Sequence, residues 1–323
     1  MKIADLHCDT VSGLYAYMQS GNRASLRQNP FQVDLEKMKK GQYGLQNFAI
    51  YVDLQKEQDP YEAAKAQLAL FQEQMQENRD CITQVVCWED IVKNRKEGRM
   101  SALLTMEEGE ICAGDTAKLQ EFYAAGVRMM TFTWNYKNSL GYPASPQEPV
   151  NRSGGLTEKG ILFLQEMERL GIIPDVSHLS QQGFYDVCQY SSRPFVASHS
   201  NAYSLCPHPR NLSDDMIRQI GRHGGLIGVN YYGTFLDVWE QNHGYSTVSR
   251  IADHILHMIH TGGLNCVALG SDFDGIDEKL ELTDCSKLEL LWQELKHRGL
   301  TEREIDAVTS GNVYRLYEEI LRK

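Results

Sequence analysis

Short apolar segments rich in β-branched and aromatic residues recur along the whole chain, separated by longer amphipathic stretches. They predict β-strands at residues 2–8, 45–52, 82–88, 101–106, 127–133, 172–177, 194–198, 225–231 and 265–271. Several are almost continuously apolar, which is typical of strands covered on both faces. Helical spacing and terminal signals predict helices at 60–78, 157–170 and 213–223, and a final helix pair that opens with Thr301 and Glu304 at capping-box spacing.

The alternation of strands and helices over the full length predicts an α/β fold, a (β/α)8 TIM barrel. A barrel of this kind needs eight strands, so one of the nine candidates is surplus, and we expect segment 82–88 to lie outside the ring. The chain has no internal repeat and no Pro/Gly/Ser-rich linker. We therefore expect one catalytic barrel domain spanning residues 1–323.

Side chains that bind metals well stand where the predicted strands end. These are His7, Asp9, Glu107, His178, His199 and Asp272. The carboxyl ends of all strands in a parallel barrel open onto one face, so residues far apart in sequence converge there. Imidazoles combined with carboxylates are the usual ligands of zinc. The pattern predicts a metal-dependent hydrolase.

The pair His7 and Asp9 is stronger evidence for a metal site than a short H-x-D motif alone. Residues two apart on a strand project to the same side, so His7 and Asp9 can reach one metal. Together with Asp5 they make one face of an apolar strand polar, and such a face is costly to bury without a metal or other partners. Glu107 is one of three glutamates in MEEGE; it is the candidate because it comes first after the strand, whereas Glu110 suits a helix start.

The other candidates each have a structural alternative. A histidine at a strand end is more often structural than a metal ligand. Because such histidines occur here in two successive strand–helix units, a structural role and a ligand role are equally supported for His178 and His199. Arg210 is either a solvated loop arginine or a clamp for a substrate carboxylate. Asp272 is either a turn residue or a proton shuttle beside the metals. The HxxHxxH run at 254–260 is interpreted as a helix surface, because outer helices point away from the barrel mouth.

Composition narrows the possible partners. The net charge is −11, which disfavours binding to nucleic acid or to anionic membranes. No apolar stretch approaches the roughly 20 residues that span a bilayer, and the first residues already form the motif strand rather than a leader. The eight cysteines are scattered without a CxxC pair, which indicates a reducing, cytoplasmic location. The expected partner is a small-molecule substrate, and a homodimer is left open.

Taken in order, six segments resemble the membrane (renal) dipeptidase family of zinc peptidases, including its soluble bacterial members. They are ADLHCDT, LLTMEEGE, GVRMMTFTWN, PDVSHLS, FVASHSNAYSLCPHPRNLSDD and ALGSDFDG. The resemblance covers nearly the whole chain and implies a (β/α)8 barrel that holds two zinc ions. It implies that His7 and Asp9 bind one zinc, that Glu107 bridges both, and that His178 and His199 bind the other.

The resemblance also implies roles for residues around the metals. Arg210 matches the arginine that holds the terminal carboxylate of the substrate, Asp272 matches the acid near the bridging water, and Tyr232 matches a further substrate contact. Two positions depart from the family pattern. The family often reads E-G-G after the bridging acid, whereas Glu108 intervenes here. Many relatives carry a pocket histidine that polarises the scissile carbonyl, and Trp134 occupies that position here.

The implied activity is zinc-dependent hydrolysis of dipeptides, with tolerance of a D-residue at the C-terminal position. In this mechanism Arg210 binds the free carboxylate and Asp272 passes a proton to the leaving amine. Two alternatives stay open. Trp134 could signal an amidohydrolase acting on N-acyl amino acids, lactams or lactones. The barrel could also be a catalytically silent protein that binds small acidic ligands, and metal content would separate these possibilities.

Overall fold

A computed structural model describes residues 2–144, 154–238 and 245–322. The strands in chain order are β1 (Ile3–Asp5), β2 (Tyr43–Tyr51), β3 (Ile82–Gln84), β4 (Met100–Glu107), β5 (Val127–Thr131), β6 (Ile173–Asp175), β7 (Val196–Ala197), β8 (Leu226–Val229), β9 (Tyr245–Ser246), β10 (Val267–Leu269) and β11 (Lys279–Leu280). The helices are α1 (Thr10–Gln19), α2 (Leu35–Lys40), α3 (Pro60–Glu77), α4 (Trp88–Glu97), α5 (Thr116–Ala124), α6 (Glu158–Leu170), α7 (Gln181–Tyr190), α8 (Asp214–Arg222), α9 (Gly233–Leu236), α10 (Val248–Gly262), α11 (Glu289–His297), α12 (Glu302–Asp306) and α13 (Asn312–Leu321).

Eight parallel strands close into a barrel. The hydrogen-bonded order runs β2-β1-β10-β8-β7-β6-β5-β4, and β2 pairs again with β4 to complete the ring. The predicted TIM barrel is confirmed. The ninth candidate, β3, lies outside the ring at the edge of β4, as expected for segment 82–88. A small parallel pair, β9 with β11, was not predicted because two-residue strands carry no periodic signal.

The helix signals read from the sequence are also confirmed. The Thr157 side chain accepts a hydrogen bond from Gly160 N at the start of α6, and Gly171 ends that helix in the left-handed conformation. Ser213 caps α8 in the same way. Thr301 and Glu304 form the predicted capping box before α12. These local signals set the lengths of the helices that surround the barrel.

Two apolar clusters hold the barrel together. The larger one contains strand residues such as Phe48, Leu104 and Ile227 packed against the surrounding helices. The second contains Leu45, Met129, Ile173 and other strand residues together with the apolar face of α13. This helix packs on residues near the beginnings of the strands, and the Tyr317 hydroxyl donates to Asn47 Oδ1 at 2.9 Å.

Close backbone contact between three neighbouring strands requires glycine. A Cβ added at Gly228 would lie 1.9 Å from Ser198 O, and one added at Gly270 would lie 1.8 Å from the same oxygen. No side chain fits at these distances, so both positions must be glycine. The close approach places the residues that follow β7, β8 and β10 next to one another at the barrel mouth.

Candidate metal centre

His7 and Asp9 lie just beyond the end of β1 rather than on it. The strand ends at Asp5, and Asp9 already stands at the start of α1. The predicted strand 2–8 is therefore longer than β1, and the expectation that Asp5, His7 and Asp9 share one strand face is wrong, because the chain turns toward a helix after Asp5. The two side chains nevertheless meet: His7 Nε2 lies 3.2 Å from Asp9 Oδ2. Asp5 faces elsewhere and accepts from the backbone N–H groups of His7 and Ser271.

The Glu107 carboxylate lies between His7 on one side and His178 with His199 on the other. Its Oε2 is 3.4 Å from His7 Nε2. Its Oε1 is 2.9 Å from His178 Nε2 and 3.5 Å from His199 Nε2. Each carboxylate oxygen thus faces a different set of partners, which is the geometry that a carboxylate bridging two cations requires.

A short chain of hydrogen bonds determines which nitrogen of His199 carries the proton. The Ser198 hydroxyl donates to Asp175 Oδ2, so its oxygen is left to accept from His199 Nδ1–H at 2.8 Å. The proton on Nδ1 leaves Nε2 as a free lone pair directed at Glu107. His199 is fully buried, and burial lowers its pKa well below the usual value, which keeps the ring neutral.

His178 is held in the same way by a different partner. Its Nδ1 lies 3.1 Å from the Asn135 side-chain oxygen, to which it donates. Burial, followed by the nearby Arg210 charge, lowers the His178 pKa to about 4, so this ring is also neutral. Its Nε2 lies only 2.9 Å from His199 Nε2. Two nitrogen lone pairs facing each other beside a carboxylate oxygen repel one another unless a cation lies between them.

The donors at the mouth fit divalent metal ions. Two sets of ligand atoms each lie within 4.8 Å of one another: His7 with Glu107 and His199, and His7 with Asp9 and Asp272. Among the described residues, buried Asp9 Oδ1 has no hydrogen-bond partner. The pKa of His7 is raised well above its usual range, because Glu107 and Asp9 together outweigh the opposing effect of burial. Crowded carboxylates around histidines are the donor set that zinc takes.

Asp272 completes the ring of acids. Its Oδ1 lies 3.7 Å from His7 Nε2, and its Oδ2 accepts from the Asn230 side-chain amide at 2.9 Å. Burial, together with the neighbouring Asp9 and Glu107 charges, raises its pKa to about 7, against the opposing effect of His7. The backbone at Asp272 is left-handed, with φ 62°, and so is that at His178, with φ 67°. Such strained conformations cluster at functional sites.

A cavity of about 690 Å³ opens over these residues. Arg210 lines it from the loop after β7; the residue is buried, its Nη2 donates to His199 O at 3.3 Å, and its Nε has no partner within the described residues. Tyr232 lines the same side. Trp134 lines the cavity near His178, and its ring packs edge-on against Tyr51 at a centroid distance of 5.0 Å. Of the predicted site residues, Asp9, Glu107, Trp134, His178, Arg210, Tyr232 and Asp272 line this cavity. His7 and His199 do not line it but contact Glu107.

Several polar residues at the site were not singled out from the sequence. These are Asn135, Asp175, Ser198 and Asn230, which hold the histidines and Asp272 in place. The available signal was adjacency, since Asp175 and Ser198 stand beside predicted ligands in PDVSH and ASH. Asn135 and Asn230 lie next to cavity residues in WN and NYY, but asparagine in a loop usually indicates a turn.

The HxxHxxH helix lies away from this centre, as expected, but its interpretation as a helix surface is wrong for His254. His254 is buried in α10, where its Nδ1 accepts from Ala202 N and its Nε2 donates to Leu236 O, both at 3.0 Å. His257 pairs with Asp214 on the adjacent helix α8 at 2.8 Å. These ring nitrogens are therefore hydrogen-bonded within the protein and serve a structural role.

None of the helices in the described parts of the chain combines the length and apolar character needed to cross a bilayer.

Comparison with known proteins places the chain in a family. A family model described as membrane dipeptidase (Peptidase family M19) matches residues 1–322. An uncharacterised dipeptidase of Schizosaccharomyces pombe is 30% identical over 98% of this chain and 80% of that protein. A dipeptidase of Aspergillus oryzae is 31% identical over 90% of this chain and 70% of its own length.

Solved structures agree with this assignment. A Rhodobacter sphaeroides metallopeptidase, crystallised with a phosphinate mimic of the dipeptide L-Ala-D-Ala, superposes with a TM-score of 0.87 at 25% identity, covering 99% of both chains. A family of metallopeptidases implies a metal cofactor, and the buried imidazole and carboxylate cluster provides a place for it. The chain belongs to the membrane dipeptidase family, Peptidase family M19, and is a metal-dependent dipeptidase.

Proposed function

We propose that the protein hydrolyses dipeptides with two zinc ions held at the barrel mouth. The observation that carries the proposal is the position of Glu107, with one carboxylate oxygen toward His7 and the other toward His178 and His199. In this assignment His7 and Asp9 would hold one ion, His178 and His199 would hold the other, and Glu107 would contact both. Zinc bound there supplies a Lewis acid for the scissile carbonyl and makes a water molecule acidic near neutral pH.

The substrate is oriented by residues around the metals. Arg210 is a buried guanidinium whose Nε–H has no partner among the described residues. It is suited to hold the C-terminal carboxylate of a dipeptide through charge-assisted hydrogen bonds. Such a clamp limits substrates to short peptides with a free C-terminus. Tyr232 lines the cavity beside it, and Trp134 forms the wall near His178. The dipeptide mimic in the related metallopeptidase carries D-Ala at its C-terminal position, which supports tolerance of a D-residue here.

Asp272 is placed to transfer a proton. It lies beside His7, and Asn230 holds its second oxygen. A carboxyl with a raised pKa can accept a proton from the attacking water and deliver it to the leaving amine as the peptide bond breaks. Trp134 can donate one hydrogen bond from its indole N–H but cannot carry charge, so it supplies less carbonyl polarisation than a histidine would.

The decisive experiment removes one ligand at a time. We expect His178→Ala and His199→Ala each to bind less zinc than the wild type and to lose dipeptide hydrolysis. His260→Ala is the matched control, because His260 is an exposed residue at the end of α10, and it should keep both properties. Unchanged turnover in both site variants would refute the assignment.

A substrate panel addresses the second candidate. Trp134 and Tyr51 form an aromatic wall of the cavity, with Tyr136 packed against Trp134. This wall would also accommodate the acyl group of an N-acyl amino acid. We expect L,L- and L,D-dipeptides to be cleaved with higher kcat/KM than N-acetyl and N-benzoyl amino acids. The reverse order would favour an amidohydrolase.

We also propose a cytoplasmic location, which the eight free thiols support because a reducing compartment keeps them unpaired.

A further inference from the structure

Glu108, the residue that follows the bridging acid, adopts a backbone conformation that favours glycine. Its φ is 100° and its ψ is 101°, and its side chain is fully buried. A residue with a Cβ is strained in this region, and such strain persists only where the surroundings enforce it. The side chain therefore has contacts that offset a cost glycine would avoid.

The Glu108 carboxylate uses both of its oxygens as acceptors. Its Oε1 accepts from Glu110 N at 2.8 Å and from the Asn138 side-chain amide at 2.5 Å. Its Oε2 accepts from Trp134 N at 2.9 Å. Its own N–H donates to Thr131 Oγ1 at 2.9 Å, which ties the end of β4 to the end of β5. The side chain points to the loop after β5, whereas Glu107 points to the metal ligands.

Asn138 extends this connection through the loop. Its amide N–H group also donates to Phe132 O at 2.7 Å, and its side-chain oxygen accepts from Leu140 N at 2.8 Å and Gly141 N at 3.0 Å. Glu108 and Asn138 together therefore fix both ends of the segment 132–141. Trp134 and Asn135 stand on this segment and reach the cavity.

We propose that Glu108 is a positioning residue whose buried carboxylate holds Trp134 against the substrate and Asn135 against His178. Trp134 is held through its own backbone N–H, and its ring then packs between Tyr51 and Tyr136. Asn135 is the next residue, and it receives the Nδ1–H of His178. The substrate part of this inference rests on the proposed function, and the placement of the Trp134 ring does not.

The test compares two neighbouring acids. In Glu108→Gln one carboxylate oxygen becomes an amide nitrogen, which must face either the Trp134 N–H or the donors of Glu110 and Asn138. Glu110→Gln is the matched control, because Glu110 accepts from Ser139 N through Oε2 and glutamine can present its carbonyl oxygen there. Glu108→Gly separates the side chain from the backbone conformation, since glycine adopts φ 100° without strain but has no carboxylate.

The first measurement is 19F NMR of 5-fluorotryptophan-labelled protein, with and without zinc, where Trp134→Phe assigns the Trp134 resonance. We expect this resonance to shift or broaden in both Glu108→Gln and Glu108→Gly and to stay in place in Glu110→Gln. A wild-type Trp134 resonance in Glu108→Gly would overturn the proposal, because backbone shape alone would then suffice. If a Glu108 variant does not fold, Asn138→Asp keeps the side-chain oxygen that accepts from Leu140 N and Gly141 N but removes the amide donor to Glu108, and it must move the resonance.

The second measurement is dipeptide kinetics. We expect kcat/KM to fall about tenfold to a hundredfold in Glu108→Gln, because small displacements of a substrate-facing group have effects of this order. Glu110→Gln should match the wild type. Wild-type kcat/KM in Glu108→Gln would contradict the kinetic part of the proposal. If the wild-type protein cleaves no dipeptide, the proposed function fails, and the Trp134 resonance still decides whether Glu108 positions the loop.

Discussion

Individual side chains at the barrel mouth differ in what their neighbours allow them to do. His178 and His199 are neutral because each donates its Nδ1–H to an oxygen and is buried, so both offer a lone pair. Asp272 lies among other acids and holds a proton more readily than an exposed aspartate does. The protonation state of each of these side chains is therefore set by its burial and by the atoms that it contacts.

Arg210 should control recognition of the substrate carboxylate. We expect Arg210→Met to lower kcat/KM for a dipeptide about tenfold to a hundredfold, the usual range for losing a hydrogen bond to a charged group. The measurement is kcat/KM for a dipeptide and for the same dipeptide with an amidated C-terminus. The amide should be an equally poor substrate of both proteins. An equal loss for both substrates would show that Arg210 supports the fold and does not bind the carboxylate.

Gly275 should be essential for the metal centre because no side chain fits beside Asp9 and Asp272 at this position. A Cβ there would lie 2.2 Å from Asp9 Oδ2 and 2.7 Å from Asp272 Oδ1. We expect Gly275→Ala to bind less zinc and to lose at least about tenfold in dipeptide turnover, as expected when catalytic groups are displaced. Gly13→Ala is the control, because Gly13 lines the same cavity and its added Cβ would meet only Phe31, at 4.0 Å. Full zinc content in Gly275→Ala would contradict this prediction.

Among the elements, helix α10 supports the loop that carries Arg210. His254 joins Ala202, in that loop, to Leu236 at the end of α9. Both ring nitrogens are used, and burial lowers the His254 pKa to about 4. Protonation would place a second N–H against the Ala202 N–H and break the contact. This element-level connection therefore depends on a neutral imidazole.

The His254 connection predicts a dependence of stability on pH. The folded-state pKa is about 4 and the unfolded value is about 6.5, so the unfolded chain binds the proton more readily. The contribution is fully present above pH 6.5 and is lost as the pH falls toward 4, by about 3 kcal/mol in all. We expect His254→Gln to be less stable than the wild type at pH 7 but to lose less free energy of unfolding between pH 7 and 5.

The measurement is urea unfolding of both proteins in the presence of a chelator, so that metal binding does not contribute. His260→Gln provides the comparison at an exposed site of the same helix and should follow the wild type. Parallel pH curves for the wild type and His254→Gln would mean that His254 does not retain its low pKa in solution.

At the scale of the whole molecule, the barrel has its own apolar support and the metal centre lies at one end of it. The two apolar clusters involve the strands and the surrounding helices and contain none of the predicted ligands. The centre instead places carboxylates close together, so a bound cation relieves their repulsion. We therefore expect folding and metal binding to be coupled in energy, and we expect the two apolar clusters to hold the barrel together without the metal.

Removal of the metal should lower stability without unfolding the protein. Zinc at a thousandfold excess over its Kd should stabilise the native state by about 4 kcal/mol and raise Tm accordingly. We expect chelation to leave the far-UV circular dichroism unchanged and to lower Tm, and added zinc to restore it. A His178→Ala, His199→Ala double variant should show a smaller zinc-dependent shift. Loss of the helical signal on chelation would show that the metal is required for folding.

The sequence predicted the barrel because its signals are local. Apolar runs, helix caps and the excess strand at 82–88 follow from residues near one another in the chain. It also identified the candidate ligands, since His7, Glu107 and His199 each follow an apolar strand. It led us to expect Asp5, His7 and Asp9 on one face of the first strand, which is wrong because β1 ends at Asp5. The turn into α1 depends on packing that no local pattern describes.

What the sequence determined by itself is therefore which chemical groups the site contains and on which face of the barrel they stand. The face follows because all strands of a parallel barrel end on the same side. What only the tertiary structure decided is how each group is held. The Nδ1 partners of His178 and His199, the carboxylate of Glu108 under Trp134 and the space kept open by Gly275 all join segments distant in the chain. Hydrogen bonds and close contacts of this kind depend on distances of a few tenths of an ångström, which only the packed barrel defines.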